Sequence, residues 1–335
     1  MMKKTYYLLN AGRLSRQDNS LKFTPVDETG LEGQPRYLPV EGVDELYCFG
    51  AMDANSSLYN FLGKQQIPVH FFDYYENYSG SFMPRDALLS GKLLVNQVKH
   101  YSALKKRMVI ARAFIEAAAH NMLKNLRYYQ NRGKETGTSI EAIQQLLPSV
   151  PVAEDVPTLM GIEGNIRIRY YEAFDIIIKD FEMGGRSKQP PLNEVNALIS
   201  FGNMMCYSQC LRAIHQTQLN PTISYLHSPG DRRYSLALDL AEIFKPVIVD
   251  RLIFSMMNRR EIKADDFEPM LNKTVLKEKG KKAFVAAFEA RLNETIQHRV
   301  LNKSVSYKYL MKLECYKLVK HLMDIEPYQP FKMWW

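Results

Sequence analysis

No uncharged apolar stretch of roughly 18 residues occurs anywhere in the chain, which excludes a membrane-spanning helix. The opening Met-Met-Lys-Lys-Thr-Tyr-Tyr-Leu-Leu-Asn has the basic start of a secretion signal. Its apolar part is far too short and Arg13 follows soon after, so no leader is expected. Cysteine is scarce: Cys48, Cys206, Cys210 and Cys315. Cys206 and Cys210 lie one helical turn apart with no second pair, so a zinc knuckle is excluded. Four buried free thiols in a reducing cytoplasm are expected instead. Glycine (17) and proline (16) are too few for any collagen-like or low-complexity tract. Several enzyme signatures are missing as well. There is no G-x-x-x-x-G-K-[ST] loop, no G-x-G-x-x-G after a strand, no G-x-S-x-G elbow and no H-E-x-x-H helix.

What is present is an ordinary globular composition, 46% hydrophobic and 24% charged, over 335 residues. That length favours two domains. The net charge of +8 is unevenly spread. Residues 1–88 carry 8 basic and 11 acidic side chains, whereas residues 89–335 carry 36 and 25. A basic excess confined to the later part points to a polyanion, nucleic acid before membrane.

The patterning changes at the same place. Thr5–Leu9, Leu21–Val26, Arg36–Val40, Glu45–Phe49, Ile67–Phe72 and Gly80–Met83 read as short strands, with one helix at Asn55–Lys64. After Pro84 and Arg85 the period becomes helical. Helices are expected at 88–130, 159–182, 192–217, 235–258, 281–299 and 306–324, with breaks at 133–138, 148–157, 183–191 and 219–233. The expected fold is α+β: a small N-terminal β-sandwich domain, 1–86, followed by a large all-helical domain, 87–335.

Three segments in the helical part can carry chemistry. Glu163 lies two turns before Tyr170 on a stripe continued by Ile166, Phe174 and Ile177, so it faces inward. A carboxylate there must be paired, protonated or metal-bound. A simple i, i+4 pair with Arg167 is the competing explanation. Gly161 and Gly164 flank Glu163 and suit close approach by another chain or ligand. His227 sits in a loop ahead of a helix, followed by Arg232 and Arg233, a combination suited to phosphate. Local satisfaction or solvation of the imidazole is the alternative. Asp239 and Glu242 share the edge of the stripe Leu236, Leu240, Ile243, Phe244 and Val247, where their like charges require a nearby cation. The alternative is a Glu242–Lys245 surface pair with Asp239 solvated. Together these segments suggest a divalent-metal site beside a phosphate-binding surface.

The same segments resemble the CRISPR-associated integrase, the first and most widespread Cas protein family, over essentially the whole chain. The matching residues are Gly161-Ile-Glu-Gly164, Leu226-His-Ser-Pro229 and Ser235-Leu-Ala-Leu-Asp-Leu-Ala-Glu242. Asn196-Ala-Leu-Ile-Ser-Phe-Gly202, Pro68-Val-His-Phe-Phe-Asp73 and Gly80-Ser-Phe82 also resemble family segments, and the chain looks most like the type I-B branch. The resemblance implies a metal-dependent DNA integrase and endonuclease that acquires spacers for antiviral defence. It implies Glu163, His227 and Glu242 as catalytic metal ligands for Mg²⁺ or Mn²⁺, with Asp239 as an auxiliary acid. It also implies a homodimer, in which the N-terminal domain serves dimerisation and DNA positioning, and a small ferredoxin-like partner, the second Cas adaptation protein. Prespacer 3′-hydroxyls would be joined to the CRISPR repeat by transesterification. A His ligand leans the metal toward Mn²⁺. Arg232, Arg233 and Lys245 are placed by spacing as phosphate-binding residues, with the basic runs Lys105–Arg107 and Lys277–Lys282 as further candidates for the DNA backbone. A non-catalytic DNA-binding scaffold of the adaptation complex is the alternative reading.

Overall fold

The computed structural model describes residues 3–27, 29–73, 77–84, 90–230 and 234–335, which form a mixed α+β protein. The chain divides into two compact units, Met1–Ala87 and Leu88–Trp335.

The first unit contains β1 (Lys4–Leu8), β2 (Gly12–Gln17), β3 (Ser20–Pro25), β4 (Arg36–Pro39), β5 (Val43–Cys48), β6 (Met52–Asp53), α1 (Ser56–Lys64), β7 (Val69–Phe72) and β8 (Tyr78–Phe82). Two four-stranded sheets result, ordered β1-β5-β7-β8 and β4-β3-β2-β6. Alternation directs Leu14, Leu21 and Phe23 of one sheet, and Leu46, Cys48 and Val69 of the other, into one core with Leu58, Phe61 and Leu62 of α1. Asn55 caps α1 by accepting the Leu58 N–H at 3.0 Å.

Two features depart from the sequence expectation. Strand β2 has a single deeply buried apolar side chain, Leu14, so its pattern is faint. It forms because Asp18, at φ +52°, turns the chain into the antiparallel partner β3. Strands β1, β5 and β7 run parallel, with only β8 antiparallel, so the sheet is mixed.

The second unit begins with α2 (Gly91–Ser102), α3 (Leu104–Gln130), α4 (Gly137–Leu146), α5 (Ser149–Val152), α6 (Val156–Glu172) and α7 (Phe174–Ile177). Next come α8 (Glu194–His215), α9 (Ser235–Phe244), a π-helical turn at Lys245–Asp250, and α10 (Arg251–Asn258). The remainder is β9 (Phe267–Met270), β10 (Lys273–Leu276), α11 (Glu278–Asn293), β11 (Thr295–His298), β12 (Lys303–Ser306) and α12 (Tyr307–Leu322).

This unit is therefore not all-helical. It carries two antiparallel hairpins, β9–β10 and β11–β12. The helix expected over 281–299 stops at Asn293, because the β-branched residues Thr295 and Ile296 pair with Ser306 and Val305. The first long helix breaks at Ala103, whose backbone is extended. Helix α4 begins inside the expected break, at Gly137.

Helices α3, α8 and α9 pack at the centre of the unit. Leu236, Leu240, Ile243, Phe244 and Val247 are all buried, as their spacing predicts. Gly202 lets α8 approach the π turn: a Cβ there would stand 2.5 Å from Val249 Cγ1 and 3.0 Å from Phe284 Cζ. All four cysteines are free and buried. Among the described residues no helix is long and apolar enough to cross a membrane.

Candidate active site

The site is built on α6, on α9 and on the loop before α9. Asp155 starts α6 by accepting the Thr158 N–H at 2.8 Å, with Pro157 in the first turn. Four residues separate Glu163 from Arg167, so the two meet on one face of α6. Arg167 Nε donates to Glu163 Oε1 at 2.6 Å, which is the i, i+4 pair foreseen as the competing explanation. The same guanidinium also reaches across to α9 and donates to Glu242 Oε2. One arginine thus joins both acids. Glu242 further accepts from Lys245 Nζ at 2.5 Å on its other oxygen. The side chains of Glu163, Arg167 and Glu242 are only 14%, 11% and 7% exposed. In so dry a setting these ion pairs are screened far less than surface ones.

Asp239 does a different job. It is fully buried, which removes the solvated alternative. Its Oδ2 accepts the backbone N–H groups of Tyr225 and Leu226 at 2.7 and 3.0 Å. Its Oδ1 accepts the His227 N–H at 2.9 Å and sits 2.8 Å from His227 Nδ1. Because the carboxylate can only accept, Nδ1 carries the proton and Nε2 is the free position of the neutral ring. Among the described residues nothing hydrogen-bonds to Nε2. Further contacts fix the loop. Gln97 clamps Asn220 through both amide atoms, at 2.8 and 3.2 Å. Arg107 Nε donates to the Tyr225 carbonyl at 2.7 Å, and Ser224 Oγ to the His227 carbonyl at 2.6 Å.

Electrostatics follow from this geometry. Burial would push the Glu242 carboxyl up, but Arg167, Lys245 and His227 outweigh it and hold the group below the usual carboxylate range. Burial would likewise depress His227, but the Asp239 hydrogen bond and the charges of Asp239 and Glu242 hold it above its ordinary value. Deeper still, burial pushes Asp250, at the end of the π turn, up to about 7.

The structure brings Glu163 and Glu242 together through Arg167 and sets His227 within electrostatic range of Glu242. It does not close them into a ligand set: among the described residues no three His, Cys, Asp or Glu side chains gather to hold a metal. Their chemistry nevertheless fits a hard or borderline divalent cation. Two carboxylates supply oxygen, and the imidazole is oriented by a carboxylate on its other nitrogen. Lys245 is spent on Glu242 rather than free for phosphate. Arg232 and Arg233 lie outside the described residues. A Cβ at Gly161 or Gly164 would meet nothing within 4 Å among the described residues.

Sequence reasoning did not foresee Arg167 as the bridge between helices, nor the asparagines beneath the site. Asn121 Nδ2 on α3 donates to the Ile243 carbonyl at 3.1 Å, and Asn125 Nδ2 to the Pro246 carbonyl at 2.8 Å. A π turn leaves carbonyls without regular helical partners, and these amides serve them. The readable signal was Pro246, which cannot donate within a helix that continues past it.

Comparison with known proteins supplies the class. A protein from Fusobacterium nucleatum subsp. nucleatum called a CRISPR-associated endonuclease is 46% identical over 337 residues, covering 100% of this chain and 98% of the relative. The family model for CRISPR associated protein Cas1 matches residues 6–290. This chain belongs to the Cas1 family. A solved Cas1 protein from Thermotoga maritima is 36% identical, with a TM-score of 0.85 over 98% of this chain and 100% of that one. A casposase bound to an integration product superposes with a TM-score of 0.86 over 98% and 93% of the two chains; at 21% identity it shares the fold.

Proposed function

We propose that this chain is a metal-dependent DNA integrase and endonuclease of CRISPR adaptation. The observation that carries the reading is the convergence of Glu163 and Glu242 on one buried guanidinium, beside a His227 ring turned by Asp239. Glu163, Glu242 and His227 Nε2 would hold Mn²⁺ or Mg²⁺. When bound, the cation lowers the pKa of an attacking hydroxyl and offsets charge at the phosphorus. Asp239 sets the tautomer of His227. Arg232 and Arg233 would bind phosphates near the reacting ester, while Lys245 stays on Glu242. No nucleotide cofactor is needed, because transesterification exchanges one phosphodiester for another.

The partners follow from the same reading. DNA, as prespacer and CRISPR repeat, meets the basic excess of residues 89–335. The N-terminal β-sandwich domain pairs two copies and positions DNA, and a small ferredoxin-like Cas protein completes the complex. Four free buried thiols suit a reducing cytoplasm.

The test is strand joining. Purified protein is incubated with a 3′-hydroxyl duplex and a supercoiled CRISPR plasmid, with and without Mn²⁺ and the partner. Metal-dependent product that is lost in His227→Ala is expected. Tight DNA binding without joining or cutting under any metal overturns the reading in favour of a scaffold. His227→Ala is the cleanest variant, because Glu163→Ala and Glu242→Ala also strip a buried arginine of a counter-charge and so cost stability as well as activity.

A further inference from the structure

Resting on that reading, we propose that Arg167 is a built-in counter-cation. Its guanidinium occupies the oxygens of Glu163 and Glu242 in the metal-free protein and must leave them before a divalent cation is held there, with Asp250 as its receiving carboxylate. Arg167 is thus a positioning residue: it sets when the two acids are available.

Three observations carry this. First, the geometry is competitive. Arg167 Nε takes Glu163 Oε1 at 2.6 Å, and another of its nitrogens takes Glu242 Oε2. These belong to the two carboxylates assigned to the cation. Lys245, by contrast, pairs with Glu242 and, among the described residues, with no other acid.

Second, the two glutamates are already matched by bases. Glu163 and Glu242 face Arg167 and Lys245, two negatives against two positives. Adding a divalent cation without moving either base leaves a large excess of positive charge in a site whose side chains are nearly dry. That is the costly case for buried charge. The base that bridges both acids is the one whose departure frees both.

Third, the displaced guanidinium has somewhere to go. Asp250 is buried, and its Oδ2 has no hydrogen-bond partner among the described residues. Arg167 lies within electrostatic range of Asp250, as do Lys245 and Arg186, and the Tyr170 hydroxyl also faces this carboxyl. A guanidinium has five donors in a planar fork and can meet a carboxylate with two of them.

Mn²⁺ binding to the full chain without DNA tests this, read by electron paramagnetic resonance of the free aqueous ion. Wild type is expected to bind weakly. Arg167→Gln leaves two adjacent carboxylates without their shared cation and is expected to bind at least about tenfold more tightly, an effect abolished by adding His227→Ala. Asp250→Asn, with Arg167 intact, is expected to weaken wild-type binding several-fold. Thermal melts accompany each variant. If Arg167→Gln does not fold, Arg167→Lys serves, since one ammonium cannot span both acids as the fork does, and affinity is expected to rise a few-fold. His227-dependent binding that is unchanged or weaker in these Arg167 variants overturns the counter-cation role and leaves the metal site standing. Absence of any His227-dependent binding, with or without DNA, overturns the metal reading and this inference together.

Discussion

Asp239 holds His227 twice, through the backbone N–H at 2.9 Å and through ring Nδ1 at 2.8 Å. The carboxylate that reads in sequence as one of an acidic pair is thus the anchor of the histidine loop, and Glu242 is the one that shares Arg167 with Glu163. Three residues of spacing separate the two roles. On α9 that leaves the two side chains about 60° apart on neighbouring edges of one face, one at the loop and the other at α6.

Asp239→Asn tests the anchor. The amide keeps one oxygen but turns an NH₂ toward backbone donors, leaving part of Tyr225, Leu226 or His227 unsatisfied. Strand joining is expected to fall about 10- to 100-fold, the usual scale for a group that orients a metal-bound histidine. Stability is expected to fall by about 1–3 kcal/mol for a donor left unpaired. DNA affinity, measured by titration at fixed salt, is expected to hold.

Much of this was legible beforehand. The apolar spacing around Ile166, Tyr170 and Phe174 placed Glu163 inward, and Leu236 through Val247 placed the second helix. The change of period near residue 84 precedes α2, which starts at Gly91. What stayed hidden depends on partners distant in sequence. Arg167 reads as a local pair because its second acid is 75 residues away. Asn121 and Asn125 read as ordinary helix-interior polar residues until the carbonyls of a π turn, more than 120 positions on, give them a purpose. Strand β2 and the hairpins β9–β10 and β11–β12 are short and half-exposed, so alternation is weak and pairing decides.

Asp250 gives a pH signature. Burial raises its folded pKa to about 7, against 3.8 for the unperturbed side chain. The folded protein therefore holds a proton that the unfolded chain has already released, and this residue subtracts stability as pH rises from about 4 to 7. Asp250→Asn is isosteric and neutral throughout. Its stability relative to wild type is expected to climb across that window and level off above pH 7, as read by denaturant titrations at a series of pH values. A difference that is flat with pH would show that Asp250 is ionised throughout.

Asn125 supports the π turn directly. Its Nδ2 serves both the Pro246 carbonyl at 2.8 Å and the Tyr170 hydroxyl oxygen at 2.9 Å. Asn125→Ala leaves a buried carbonyl without its donor and is expected to cost about 1–3 kcal/mol. The turn also presents Lys245, so joining at saturating metal is expected to drop more than the lost stability accounts for. A measured loss confined to the midpoint of unfolding, with full activity in the folded fraction, would limit Asn125 to a structural role.

The aromatic tail is tied to the site helix through a second buried acid. Glu314 on α12 accepts from Tyr328 Oη at 2.6 Å, from the Phe331 N–H at 3.2 Å and from Lys317 at 3.0 Å. Phe331 stacks on Phe244, the last residue of α9, at 5.9 Å. Asn121 then closes the circuit: it accepts from the Met333 N–H at 2.8 Å while donating to Ile243. Tyr328→Phe removes one donor from a buried carboxylate, and a hydrogen bond to a charged group is worth about 1.5–3 kcal/mol. Loss of that amount in urea unfolding is expected. Glu314→Gln combined with Tyr328→Phe is expected to be less destabilised than the sum of the singles, because the neutral amide no longer demands the lost donor. Strict additivity of the two changes would show that the hydroxyl and the carboxylate contribute independently, and the tail would then be held by its aromatic packing alone.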